Sequence, residues 1–158
     1  MPDPIELTPA DGQEEIAIAR ELFREYAEAI GVDLEYQGFS GELAALPSPY
    51  VPPHGILLIA RIGGEVAGCV ALRQLDSRTG EMKRLYVRPP FRSWGLGRRL
   101  VEAVIQAART AGYAALRLDT LAHMTAAQGL YRTLGFSEIA AYNDAHLPGT
   151  RFYERVLP

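Results

Sequence analysis

A Gly63-Gly64 pair stands between two β-rich runs, residues 55–62 and 65–75. Two adjacent glycines supply the positive φ values that a tight hairpin turn wants, so the runs are expected to fold back on each other as antiparallel strands. Ser77-Arg78-Thr79-Gly80 reads as the next turn and residues 81–87 as a further strand, closed by Pro89-Pro90. The period then changes. Leu96, Leu100, Val104, Ala107 and Ala111 recur at helical spacing between Gly95 and Gly112. Residues 114–120 read as a strand again, and residues 125–134 as a short helix ended by Gly135. Two weaker strands are expected near 137–141 and 150–156. Hairpins followed by strand, helix, strand, helix predict a mixed sheet covered by helices.

Upstream, Ile16, Ala19, Leu22, Phe23, Tyr26 and Ile30 recur at three- and four-residue spacing, with Glu15, Glu21, Arg24, Glu25 and Glu28 on the other side. That helix starts at Thr8-Pro9 or at Asp11 with Glu14, and Gly31 is its expected stop. Residues 47–53 hold four of the eleven prolines and are expected to be irregular.

With 158 residues the chain is expected to form one domain over 1–158. Its longest apolar run, residues 56–60, falls far short of the ~20 residues a membrane span needs. Met1-Pro2-Asp3-Pro4 carries no basic or apolar leader, so a cytoplasmic protein is expected. One cysteine, Cys69, and three scattered histidines argue against a disulfide and against a metal site. A net charge of −3 argues against nucleic acid as a partner. The charge is divided, however. Residues 1–46 are acidic, while residues 83–109 hold Lys83, Arg84, Arg88, Arg92, Arg98, Arg99 and Arg109 against the lone Glu102.

Within that basic stretch, Arg92-Ser93-Trp94-Gly95-Leu96-Gly97 opens the central helix. A helix start leaves about four N–H groups unpaired and carries roughly half a positive charge. Two glycines let a bulky anion approach those amides, and Arg92, Arg98 and Arg99 add formal charge, so the loop reads as a phosphate cradle. A P-loop would need Gly-Lys before Ser or Thr, but Arg98-Arg99 follows Gly97. A dinucleotide fingerprint would need a small residue where Leu100 stands.

The loop resembles the Gln/Arg-x-x-Gly-x-Gly/Ala signature of the GNAT superfamily of acyl-CoA-dependent N-acyltransferases. A second GNAT signature, Ala-x-x-Leu-Tyr-x-x-x-Gly-Phe, is matched by residues 127–136, with Leu130-Tyr131 and Gly135-Phe136 at its fixed positions. The resemblance spans roughly residues 55–156. It implies an α/β (α+β) fold with a central mixed, mostly antiparallel sheet of six to seven strands, four flanking helices, and strands 4 and 5 splayed apart. It implies acetyl-CoA as co-substrate and an amine acceptor: a small amine, an amino acid or a protein N-terminus. The backbone of Ser93, Trp94, Gly95, Leu96, Gly97 and Arg98, with Arg92 opening the loop, would hold the diphosphate. Leu85, Tyr86 and Val87 would pair with the pantetheine arm as if it were a peptide strand. A non-catalytic CoA-binding module shares the loop and stands as the alternative, and a homodimer is open by the same analogy.

Transfer to an amine needs a lone pair on nitrogen and a proton for the departing thiolate. By the resemblance, Tyr131 is the general acid, and Glu81 or Asp119 is the base. Glu81 ranks slightly ahead, and a water chain stays open. Strand alternation puts Glu81, Lys83, Leu85 and Val87 on one face, where Glu81 and Lys83 would also suit an ordinary ion pair. Many family members carry Asn seven residues before the Tyr. Here Met124 stands there, beside His123, as the expected pantetheine contact. The acidic and aromatic residues Asp33, Glu35, Glu42, Tyr36, Phe39 and Tyr50 would suit a cationic amine through charge and cation–π contact.

Overall fold

The Gly63-Gly64 turn, with φ of 59° and 83°, joins β2 (Ile56–Ile62) to β3 (Glu65–Gln74) as an antiparallel hairpin. The computed structural model describes residues 4–158. Along the chain come β1 (Ile5–Pro9), α1 (Gly12–Ile30), a 3-10 turn (Leu34–Gln37), α2 (Phe39–Ala45), β2, β3 and β4 (Thr79–Val87). A second 3-10 turn (Pro89–Phe91), α3 (Leu96–Thr110), β5 (Ala115–Thr120), α4 (Thr125–Thr133), β6 (Ser137–Ile139) and β7 (Arg151–Val156) complete it. The seven strands form one sheet in the order β1-β2-β3-β4-β5-β7-β6. This is the expected mixed sheet with four flanking α-helices, extended by β1, α2 and the first 3-10 turn. No helix among the described residues is long and apolar enough to cross a membrane.

Each face of the sheet buries one apolar layer. Leu96, Leu100, Val101, Val104 and Ile105 of α3 pack on Val70, Leu72, Met82, Leu116 and Leu118. Ala19, Leu22 and Phe23 of α1 pack on Leu57, Ile59, Cys69 and Ala71 of the opposite face. Each fully buried Leu, Ile, Val or Phe contributes about 1.5–3 kcal/mol relative to exposure. Cys69 is one of these core residues, with burial pushing its thiol pKa up. Gly31, at φ 72°, ends α1 where expected. Two ion pairs fasten α1 to the sheet, Arg61 to Glu15 and Arg88 to Glu25, both at 2.7 Å.

Two features of β4 position the site. First, its parallel pairing with β5 runs through Thr79↔Ala115, Gly80↔Leu116 and Glu81↔Arg117 and then stops. From Met82 onward β4 has a strand neighbour on the β3 side alone. Second, the register with β3 slips: Cys69 faces Tyr86, but Ala71 faces Lys83. Arg84 and Leu85 therefore oppose the single residue Val70, with Arg84 at φ 60°, a β-bulge. The expected common face for Glu81, Lys83, Leu85 and Val87 is corrected by this bulge. Leu85 and Val87 pack with the α3 layer, whereas Lys83 and Arg84 both reach Gln37 on the α1 side. One extra residue inverts the alternation, so period-two counting fails beyond it.

Candidate active site

The gap left where β4 and β5 part is a cleft. Met82, Lys83, Arg84 and Leu85 line one wall, and Leu118, Asp119, Thr120 and Leu121 the other. Tyr26, Ile30, Tyr36 and Gln37 roof it from the α1 side, and Met124 and Tyr131 close it from α4. It continues into an outer groove lined by Leu85, Tyr86, Val87, Arg92, His123, Met124 and Ala127. Tyr26, Ile30, Leu85 and Met124 belong to both.

The glycine loop follows Arg92, which lines this groove. Gly95, at φ 74°, is the N-cap of α3, and Ser93 also has a positive φ of 79°. A Cβ at Gly95 would meet nothing within 4 Å, so the glycine answers to conformation, with open space beside it. The first hydrogen bond into α3 runs from Arg99 N–H to the Gly95 carbonyl at 3.2 Å, and the amides before it are the free donors of a helix start. Arg92 folds back so that its Nε donates to the Val87 carbonyl at 2.9 Å. Trp94 stands half exposed against Phe91, and Leu96 plugs the core beneath the loop. Arg98 points outward to Glu102 at 3.7 Å.

Tyr131 is 4% exposed and packs on Phe136 and Tyr153. Burial, with the nearby Tyr26 and Asp119, pushes its pKa well up, so the phenol keeps its proton at neutral pH. Asp119 faces the same cleft. Burial raises its carboxyl above the usual aspartate range and Glu81 adds to this, while Lys83 and Arg84 pull the other way.

Glu81 does not line the cleft. It is 1% exposed; Oε1 accepts from Arg73 Nε at 2.7 Å and Oε2 from the Tyr142 hydroxyl at 2.6 Å. The structure thus brings Tyr131, Asp119, Leu85 and Met124 to one cleft, with Arg92 in the adjoining groove, and commits Glu81 elsewhere. Its partner is Arg73, in place of the expected Lys83, because the cross-strand register seats Arg73 opposite Glu81.

The acidic, aromatic segment that would suit a cationic amine already holds a cation. Its cation is internal. Arg84 donates from Nη2 and Nε to Glu42 at 2.6 and 3.0 Å and from Nη1 to Gln37 at 3.0 Å. Its guanidinium lies 5.3 Å from the Phe39 ring centre and 5.8 Å from that of Tyr26. Tyr50 donates to Glu42 at 2.8 Å, Asp33 caps the 3-10 turn through Glu35 N–H, and Glu35 binds Ser40. Of the six residues, Tyr36 alone lines the cleft.

Residues 17–136 match the family model for the acetyltransferase (GNAT) family. The chain belongs to the GNAT family. An uncharacterized N-acetyltransferase of Schizosaccharomyces pombe is 41% identical over 129 residues, covering 80% of this chain and 79% of its own. A GNAT-family acetyltransferase of Staphylococcus aureus Mu50 superposes with a TM-score of 0.81 at 21% identity, over 98% of this chain and all of its own. One from Elizabethkingia anophelis, solved with acetyl-CoA bound, gives 0.72 at 22% identity, over 98% and 99%. This GNAT chain is therefore an acyltransferase, and its splayed strands are the family's fold.

Four residues of this GNAT cleft escaped the sequence reading: Tyr26, Gln37, Lys83 and Arg84. Tyr26 was legible as apolar spacing on α1 but not as a hydroxyl turned toward the cleft. Lys83 and Arg84 sit where the bulge breaks the alternation, and nothing local announces Gln37.

Proposed function

We propose that this protein transfers the acetyl group of acetyl-CoA directly to a primary amine, with Tyr131 as general acid and Asp119 in preference to Glu81 as general base. The observation that carries the reading is the parting of β4 and β5 into a cleft that holds Asp119 and Tyr131 and shares its lining with a groove reaching Arg92, the residue that opens the glycine loop. The fit to the co-substrate rests on three features. The amides ahead of Arg99 and the open space at Gly95 suit a diphosphate. The β4 edge beyond Met82 offers main-chain groups to an amide-bearing arm. Met124 supplies an apolar wall where many relatives carry Asn.

Acetyl-CoA supplies an activated acyl carbon as a thioester. The chain's residues govern the protons. Asp119, ionised, accepts one proton from the acceptor ammonium, leaving a nitrogen lone pair. As the N–C bond forms and the C–S bond breaks, the Tyr131 hydroxyl donates toward the sulfur, so that an amide and a free thiol leave. The second ammonium proton, released from nitrogen, restores the phenol through solvent. Cys69 takes no part, being sealed in the core.

The test is calorimetric titration with CoA, followed by free-thiol release from acetyl-CoA across an amine panel. Affinity for CoA together with amine-dependent thiol release is expected. Absence of CoA affinity would refute the reading, and CoA binding without turnover on any amine would favour the non-catalytic module.

A further inference from the structure

The sheet face that lines the cleft carries several charges, and most are matched inside the protein. Arg73 is held by Glu81 at 2.7 Å, Arg84 by Glu42 at 2.6 Å and Arg117 by Glu154 at 2.7 Å. Lys83 and Asp119 are the exceptions: among the described residues neither has an ion pair, and Asp119 accepts a side-chain hydrogen bond from Asn143. Lys83 reaches just the Gln37 carbonyl oxygen, at 3.5 Å, an oxygen already accepting from Arg84 at 3.0 Å. An ammonium has three donors, so this leaves it largely unsatisfied. Among the described residues no salt bridge joins Lys83 to Asp119, although both line the cleft from opposite sides of the split between β4 and β5. A cation and an anion, neither held in a salt bridge, thus line one cleft from its two walls.

Burial sets the cost of this arrangement. Desolvation disfavours the Lys83 ammonium and the Asp119 carboxylate alike, and each moderates the other through space. Their pKa values are displaced toward each other because desolvation of each charge outweighs the attraction between them. A ligand with one charge of each sign would satisfy both.

We propose that the acceptor is an amino acid bound as its zwitterion, its ammonium toward Asp119 and its carboxylate toward Lys83. The inference rests on the acetyl-transfer reading above and narrows it. A plain amine would leave Lys83 unmatched in a buried site. A protein N-terminus has its α-carboxyl tied up as an amide and offers no anion at that point. In the reaction the acceptor nitrogen gains the acetyl carbon and loses two protons, the carbon–sulfur bond breaks, and the thiol departs with one proton. The acceptor carboxylate stays unchanged on Lys83 throughout.

The experiment compares three forms of each acceptor on the CoA-binding protein: the L-amino acid, its carboxamide and its decarboxylated amine. Acetylated product is read by mass, and acceptor binding to the CoA-loaded protein by calorimetry. At least one free amino acid is expected to exceed both of its counterparts in kcat/KM by roughly tenfold or more, the scale of a charge-assisted contact. Lys83→Met is expected to collapse that ratio toward one, while Lys83→Arg keeps it above one. If Lys83→Met fails to fold, the wild-type ratio decides by itself. Preference for carboxamides or plain amines, or free amino acids that neither bind nor react, would overturn the inference while leaving acetyl transfer intact. Loss of CoA binding itself would instead overturn the reading on which it rests.

Discussion

Removing the Glu42 carboxylate tests whether the Arg84 ion pair holds the bulged strand against α2. The Arg84 side chain is 3% exposed and that of Glu42 11%, so the pair is nearly dry. Glu42 accepts three bonds, two from Arg84 at 2.6 and 3.0 Å and one from Tyr50 at 2.8 Å. Breaking a buried pair from one side typically costs about 3–5 kcal/mol, because a charge is left without its partner. Gln37 and the faces of Phe39 and Tyr26 remain around the guanidinium, and a desolvated cation–π contact retains up to about 2 kcal/mol. Glu42→Ala is therefore expected at the low end, about 3 kcal/mol. With a urea slope of about 2 kcal/mol/M, the unfolding midpoint should fall by roughly 1.5 M. Glu42→Leu combined with Arg84→Met should lose less than Glu42→Ala, since apolar replacement of both charges removes the desolvation cost. A fall of under about 0.5 M, on the same slope, or a double variant as unstable as the sum of the singles, would refute the argument. The pH dependence carries the same sign. Burial is the largest influence on Glu42 and raises its pKa, but the hydrogen bonds and charge of Arg84 outweigh it, leaving the carboxyl below its ordinary value of 4.5. The pair's contribution is thus complete above about pH 4.5 and is lost as pH falls through the lowered value.

Tyr131→Phe should lower kcat by roughly tenfold or more, the usual scale for a lost general acid, with CoA affinity by calorimetry held near wild type; unchanged kcat across the pH range would remove Tyr131 from the chemistry. Asp119→Asn should depress kcat yet stabilise the fold at pH 7. A carboxyl raised above its unfolded value binds its proton more tightly in the native state, so stability declines as pH climbs through the raised value. Urea midpoints at pH 4 and pH 7 check this, and a variant no more stable than wild type at pH 7 would contradict it. The two loop glycines should respond with opposite signs. Gly95→Ala forces a side chain into φ 74° and should destabilise by about 1 kcal/mol. Gly97→Ala, whose Cβ meets only Leu130 at 3.6 Å, should gain about 0.5 kcal/mol from helix propensity, both read by thermal melting.

The hairpin, the central helix and α4 were legible because each is announced locally, by Gly63-Gly64, by the spacing from Leu96 to Ala111, and by the motif ending at Gly135, whereas the parting of β4 and β5 was implied by the family resemblance. β1 was missed although Ile5-Glu6-Leu7-Thr8 alternates: four residues between prolines are too short a signal without β2 to pair with. α2 is weakly announced in the sequence, because its seven residues include Gly41 and run into the prolines of residues 47–53. Its stability comes from Phe39 in the core and Glu42 on Arg84 rather than from propensity. In the site, Tyr131 and Asp119 were readable from motif and strand end. The exclusion of Glu81 was not, since it depends on Arg73 and Tyr142, 8 and 61 residues away. The acidic, aromatic segment suits a cation, as its residue types suggest, and the cation it holds is the chain's own Arg84.

The divided sheet also bears on how the protein behaves in crowded solution. Unpaired strand margins are templates for polymerisation. The outer margins are poor ones: β1 is five residues long and ends at Pro9, and β6 is three residues long and carries Glu138. The longer unpaired margin, β4 beyond Met82, is walled in by Tyr26 and Ile30 above and Met124 and Tyr131 below. A neighbouring chain with side chains on both faces has no room to dock there, whereas a slender, unbranched molecule does. The same walls that shape the reaction cleft therefore keep the sheet from growing.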